Sequence, residues 1–327
     1  MMNKMYILLI LSVMGIIAIS GCVGQRAVTV GENRGVTINN FLASPTQVHT
    51  GESVLFDLEI ENIGGTTATN VQADLFGVEG QWQDSLGNTV DSTLTKWGDI
   101  TMRPPFPDRN IPGDLRINQW EIITPNIPQG ITANLPIEAR VTYDYNTSGH
   151  LAVKLVSIDE WRRKQLLGEE VVSPFAIVNS NGPLKMSIPS RYQTPIIVDT
   201  TSTSQFETYP FRVQIDNVGD GFPITPEDDG RIRGAGGRLQ GTIDLFGPGV
   251  EFEDCLGVRG GTHIDLDDAD ILVRLREVGR GSLPIACNIK IDKTVWSSRA
   301  EDTLQFIFNI RYRYYVSQQV VVQVVGV

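Results

Sequence analysis

Ser53-Val54-Leu55-Phe56-Asp57-Leu58-Glu59-Ile60-Glu61-Asn62 decides the fold. Val54, Phe56, Leu58 and Ile60 fall at every second place, against mostly acidic neighbours, which is the period of a half-buried strand. Asn62-Ile63-Gly64-Gly65 ends it. The unit recurs as Phe211-Arg212-Val213-Gln214-Ile215-Asp216-Asn217-Val218-Gly219, at an offset of 155, again closed by Asn-x-Gly. Asp74-Leu75-Phe76-Gly77 returns as Asp244-Leu245-Phe246-Gly247, and Asp84-Ser85-Leu86-Gly87 matches Asp254-Cys255-Leu256-Gly257, both at 170. The chain is therefore a duplication, and the difference between the offsets puts an insertion in the second copy between Gly219 and Asp244.

Val141-Thr142-Tyr143-Asp144-Tyr145 and Ile310-Arg311-Tyr312-Arg313-Tyr314 match at 169. Leu135-Pro136-Ile137 and Leu283-Pro284-Ile285 match at 148 instead, which suggests an added strand pair in the second copy. Ser157-Ile158-Asp159-Glu160 has the form of a helix capping box, so a short helix is expected near 157–168, ended by Gly168. Gly182-Pro183 opens the second copy. The β-forming run Val316 to Val325 is expected to close the second module as a paired strand rather than a free edge. The division is 36–178 for the first module and 183–327 for the second, with the insertion at 220–243.

Asn62-Ile63-Gly64-Gly65-Thr66-Thr67-Ala68-Thr69-Asn70-Val71 resembles the Asn-x-Gly region of immunoglobulin-like repeats of prokaryotic surface proteins, including the CARDB family, whose name refers to cell adhesion. The likeness is strong over some 40 residues per copy; in the second, Asn217-Val218-Gly219 remains but the insertion replaces Ala-x-Asn-Val. It implies an all-β fold of two tandem immunoglobulin-like antiparallel β-sandwich domains, and a surface or adhesion role.

Tyr6 to Ile19 is an apolar run behind a single charge, Lys4, and is shorter than the ~20 residues a membrane-spanning helix needs. It leads into Ile19-Ser20-Gly21-Cys22, which resembles the lipobox of prokaryotic lipoproteins. That resemblance implies a cleaved signal peptide at 1–21, lipidation of Cys22, a tether over 22–35 and an outward-facing, lipid-anchored place on the cell membrane. An uncleaved N-terminal anchor, or a secretory signal cut elsewhere, fits the same residues and also exports the domains. Archaeal and bacterial envelopes are both compatible.

Formal charge is −11, becoming −12 once the segment carrying Lys4 is gone. Such a surface argues against nucleic acid as a partner, because phosphates demand basic patches. Besides Cys22 the chain holds only Cys255 and Cys287. In an exported protein they form a disulfide candidate, while a buried free thiol fits Cys287 among its isoleucines equally well.

The chemistry of a site is sparse. No Walker A loop, His-Glu-x-x-His, Gly-x-Ser-x-Gly or Cys-x-x-Cys is present. His49, His150 and His263 stand apart in the sequence and read as surface residues. Asp265, Asp267, Asp268 and Asp270 group four carboxylates that would suit calcium but lack EF-hand spacing, so a solvated loop is the ordinary reading and no cofactor is expected. Catalysis would require acids such as Asp267 and Asp270 to meet others from distant strands. Arg231, Arg233 and Arg238 bring three guanidiniums to the Gly-rich insertion, a flexible hairpin or a place for a glycan or an acidic small molecule. Trp82, Trp97, Trp120, Tyr143 and Tyr145 read as core fillers before they read as a carbohydrate platform. The leading expectation is a non-enzymatic, lipid-anchored surface protein acting in adhesion, envelope structure or assembly with other surface proteins. The alternative is a module recognising a ligand through residues 220–241.

Overall fold

The computed structural model describes residues 30–169, 176–188, 195–225, 237–268, 270–271, 273–275 and 282–327. The first copy contributes β1 (Val36–Ser44), β2 (Gln47–His49), β3 (Ser53–Asn62), β4 (Ala68–Phe76), β5 (Trp97–Met102), β6 (Leu115–Ile123) and β7 (Thr132–Ser157). The second contributes β8 (Ala176–Asn179), β9 (Leu184–Ser187), β10 (Ile196–Val198), β11 (Phe206–Asn217), β12 (Phe222–Ile224), β13 (Gly237–Arg238), β14 (Gln240–Phe246), β15 (Val250–Cys255), β16 (His263–Asp265), β17 (Arg274–Leu275), β18 (Ser282–Asp292) and β19 (Glu301–Val325). The fold is all-β and largely antiparallel. The expected helix is present at Ile158–Leu167: the Ser157 side chain accepts from the Glu160 amide, and Gly168 ends it at a left-handed φ of 70°.

Two small sheets, β1-β3-β6 and β15-β18-β11-β9, pack on one large sheet built around β7 and β19. Phe56 and Phe211 occupy equivalent central strands, β3 and β11, and both are buried. Phe56 meets Phe41 and the edge of Trp82 at centroid distances of 6.1 and 5.9 Å. Phe211 stacks on Phe306 at 4.3 Å. Trp82 and its repeat partner Phe252 are both fully buried, and Trp120 nearly so, as expected of core fillers.

The long strands set the architecture. β7 has 26 residues and β19 has 25, and they pair antiparallel from Thr132↔Val325 to Val156↔Glu301. An ordinary strand has about 5–6 residues. Strand alternation is unbroken, so Ile137, Ala139 and Val141 share one face of β7 with Leu151, Val153 and Leu155; all six are buried. On β19 the same face carries Leu304, Phe306, Phe308 and Ile310, then Val322 and Val324, again buried. Each long strand thus crosses from one sandwich into the other. The first half of β7 pairs with β4, and its second half pairs with β8 and, in parallel, with β10. β19 pairs with β14 over its first half and, in parallel, with β2 at its end.

Two expectations change. The run Val316 to Val325 completes the first sandwich, beside β2, and not the second, because β19 is too long to stay within one sandwich. The Leu-Pro-Ile match is coincidental: Leu283-Pro284-Ile285 lies in β18, which pairs with β11 as β6 pairs with β3, whereas Leu135-Pro136-Ile137 lies in β7. The sheets run across the 178/183 division, which falls at the end of β8.

Candidate functional site

Adding 169 to Tyr143 and Tyr145 gives Tyr312 and Tyr314, while the strand register pairs Tyr143 with Tyr314 and Tyr145 with Tyr312. Both relations hold only if a local two-fold axis passes between Asp144 and Arg313. This waist, where the copies exchange strands, has two unlike faces.

The inner face carries the four tyrosines. Neighbouring rings lie 5.8–6.2 Å apart, in tilted and edge-on arrangements, and all four are buried. Burial, reinforced by the other phenols, pushes Tyr143 well above the ordinary phenol range; Tyr312 and Tyr314 rise for the same leading reason. A phenol held neutral in the fold ionises more readily once unfolded. The stability they confer is therefore present below about pH 10 and declines as pH rises past that value.

The Asn-x-Gly motifs cap these rings. Asn62 donates through Nδ2 to the carbonyls of Met102 (2.8 Å) and Thr66 (3.0 Å), and its Oδ1 accepts from the Gly64 amide (3.1 Å). The Tyr145 hydroxyl accepts from the Thr66 amide at 3.1 Å. In the second copy Asn217 donates to the Gly221 carbonyl (2.9 Å), the Gly221 amide donates to the Tyr314 hydroxyl (3.0 Å), and that hydroxyl donates to Asn217 Oδ1 (2.8 Å). The glycine of each motif is required by crowding, since a Cβ on Gly64 would overlap the Tyr145 hydroxyl and one on Gly219 would overlap that of Tyr314. Gly64→Ala is expected to lower stability by about 1–3 kcal/mol, measured by urea denaturation. Between the two turns runs the N-terminal segment: Gly31 donates to the Ile63 carbonyl, Gly182 to that of Glu32, and Arg34 pairs with Asp220 at 2.9 Å.

The outer face is polar. Arg313 is buried, its Nη1 3.0 Å from Asp144 Oδ1, its Nη2 donating to Thr142 Oγ1 (3.2 Å) and Gln72 Oε1 (3.3 Å). Its Nε is buried and unbonded. A groove of about 290 Å³ opens here, lined by Thr67, Thr69, Asp144, Tyr145, Asn146, Gln240, Arg311, Tyr312 and Arg313. Arg311 pairs with Asp267. Farther along, Arg140 is buried between the rings of Phe76 and Tyr315, 4.5 and 4.6 Å from their centroids, and reaches Glu138 at 3.2 Å. Sequence reasoning passed over Asp144 and Arg313. A signal existed: matched positions of the duplicated Tyr-x-Tyr carry opposite charges.

Arg238 has Nη2 3.3 Å from the Asp267 carbonyl, tying the base of the insertion to the acidic loop, while Arg231 and Arg233 lie outside the described residues. Cys22 lies outside them as well. Asp267 also accepts from the Gly241 amide (3.2 Å), Asp265 from that of Asp267 (2.8 Å) and Asp268 from that of Asp270 (3.0 Å). Asp265 and Asp268 serve their own loop, while Asp267 ties it to β14 and β19. Among the described residues no three His, Cys, Asp or Glu side chains gather as a metal site. His49 lies beside Glu52, His150 beside Gln305, and His263 2.6 Å from Asp244.

Cys255 and Cys287 face each other across β15 and β18, with Cα atoms 4.2 Å apart, and are joined by a disulfide. Their separation of 32 residues makes the bond worth roughly 3–4 kcal/mol in the chain-entropy model. The double change Cys255→Ala, Cys287→Ala is expected to lower stability by that amount, read as a fall in thermal midpoint.

No protein-family model matches the chain, and no curated protein matches it. Among solved structures it is similar to the CARDB domain of a Pyrococcus furiosus protein in complex with di-metal ions, at 15% identity and a TM-score of 0.21, over 35% of this chain and 77% of that one. It is also similar to a DNA-bound alkylpurine DNA glycosylase of Pseudomonas fluorescens, at 12% identity and TM-score 0.21, over 35% and 28% of the two chains. The major pilin subunit of Bacillus cereus is similar at 8% identity and TM-score 0.21, over 77% of this chain and 55% of that one.

Proposed function

We propose that this is a non-enzymatic, lipid-anchored surface protein whose work is mechanical and architectural: adhesion, envelope structure or surface assembly. One observation carries the reading. Exchanged strands fuse two sandwiches into a single continuous body, and four polar side chains at the waist are engaged in holding it together. Asp144, Arg313, Asn62 and Asn217 bond to the fold itself. Among the described residues no helix is long and apolar enough to cross a membrane. The lipobox-like Ile19-Ser20-Gly21-Cys22 supports attachment through Cys22. Pulldown from intact membranes tests this. The native chain should fractionate with the envelope and bring surface proteins with it, and a Cys22→Ser variant should leave the membrane. A freely soluble native chain without partners would contradict it.

The groove supports a second reading. Thr67, Thr69, Asn146 and Gln240 offer hydroxyls and amides beside two guanidiniums, a lining suited to a glycan or an acidic small molecule. A glycan array with a thermal-shift screen, repeated with the groove residues Arg311 and Gln240 changed to alanine, tests it. Absence of any shift with the native chain removes this reading.

A further inference from the structure

The place where the chain enters the fold constrains how an anchored molecule sits on a membrane. Among the described residues Gly31 is the first held to the body by a hydrogen bond, through its amide to the Ile63 carbonyl, and Glu32 and Arg34 are held by Gly182 and Asp220 of the second copy. The entry point is therefore the waist. It lies on the tyrosine face, opposite the polar groove, because a Cβ on Gly35 would crowd the Tyr143 ring.

From Asp144↔Arg313 the paired strands run twelve residues to Thr132↔Val325 and twelve to Val156↔Glu301. At ~3.3 Å per residue each arm is about 40 Å long, and loops extend beyond both ends. Between Cys22 and Gly31 there are nine residue steps, which span at most about 30 Å even when fully extended. A body standing on either tip would hold its waist higher than this tether can reach.

We infer that the anchored chain lies side-on, its long axis along the membrane and both sandwiches at one height above it. This rests on the lipid-anchor reading. The partner surface is the lipid bilayer that holds the anchor, and the tether sets the orientation; the acidic body needs no electrostatic attraction to anionic lipid. Neither sandwich is then a distal head, and both present themselves to the same neighbouring layer.

The test uses the full lipidated chain on phosphatidylcholine vesicles carrying a headgroup acceptor dye. A donor is placed at the exposed turn of either tip, through Gln129→Cys or Ser298→Cys. Side-on seating predicts energy transfer from the two tips equal to within about twofold, whereas end-on seating separates them by ~80 Å and extinguishes one. Inserting a flexible Gly-Ser segment of about 20 residues after Gly24 should reduce transfer at both tips, since the constraint is lifted. Unequal tips, or transfer indifferent to tether length, would overturn the inference while leaving the anchor intact. A wild-type chain that fails to float with vesicles would instead refute the anchor, and the orientation with it.

Discussion

Val322→Asp is expected to unfold the first sandwich, although residue 322 lies five positions from the end of a chain whose first sandwich begins at Val36. Val322 is fully buried on β19, opposite Leu135 of β7. A carboxylate in that buried place must be desolvated or protonated, and mutations of this kind sit in the tail beyond about 4 kcal/mol. Damage should be local at first: Trp82 and Trp120 lose their buried fluorescence, while Phe211, Phe252 and Phe306 keep their packing. Gln319→Ala, on the exposed face of the same strand, should stay within about 0.5 kcal/mol of wild type. Loss of the second sandwich with the first intact would refute the exchange.

Asn62→Ala should cost about 3–5 kcal/mol. Its side chain satisfies Met102 and Thr66 carbonyls and the Gly64 amide, and Met102 is itself fully buried. Alanine leaves three backbone groups without partners, each worth about 1–3 kcal/mol when water cannot reach it, partly recovered by local relaxation. Since whole domains are stable by only about 5–15 kcal/mol, this single change consumes much of the margin. Asn217→Ala, which loses two bonds, should be milder, near 2–3 kcal/mol. Equilibrium urea denaturation measures both. An Asn62→Ala protein as stable as wild type would mean that the motif is not the staple of the waist.

These predictions also mark what could be read from the residues alone. Alternation over Ser53–Asn62 and Phe211–Asn217 identified the central strands, and the Ser157 cap with Gly168 bounded the helix to within a residue. The exchange was hidden for a physical reason. Alternation records which face of a strand is buried, not what covers it, and Ile137 through Leu155 keep one parity across both sandwiches. Asn146-Thr147-Ser148-Gly149 lies inside β7, where the strand passes from one sandwich to the other. A Cβ on Gly149 would press on the Met186 methyl and the Asn179 side chain of the strands packed beside it. At the candidate site the tyrosines were legible as core, but Asp144 and Arg313 became a pair only through the antiparallel register. The acidic loop reads in sequence as a solvated loop, and in the fold backbone amides and Arg311 engage Asp265, Asp267 and Asp268.

The duplicated, strand-exchanged body is tested most directly by nuclear Overhauser contacts in the monomeric protein across the two parallel strand pairs. Val48 should contact Val324, and Ile197 should contact Val156, because each long strand ends in the other copy's sandwich. Contacts of Val324 with Phe211 or Ile289, placing the last strand within the second sandwich, would contradict it.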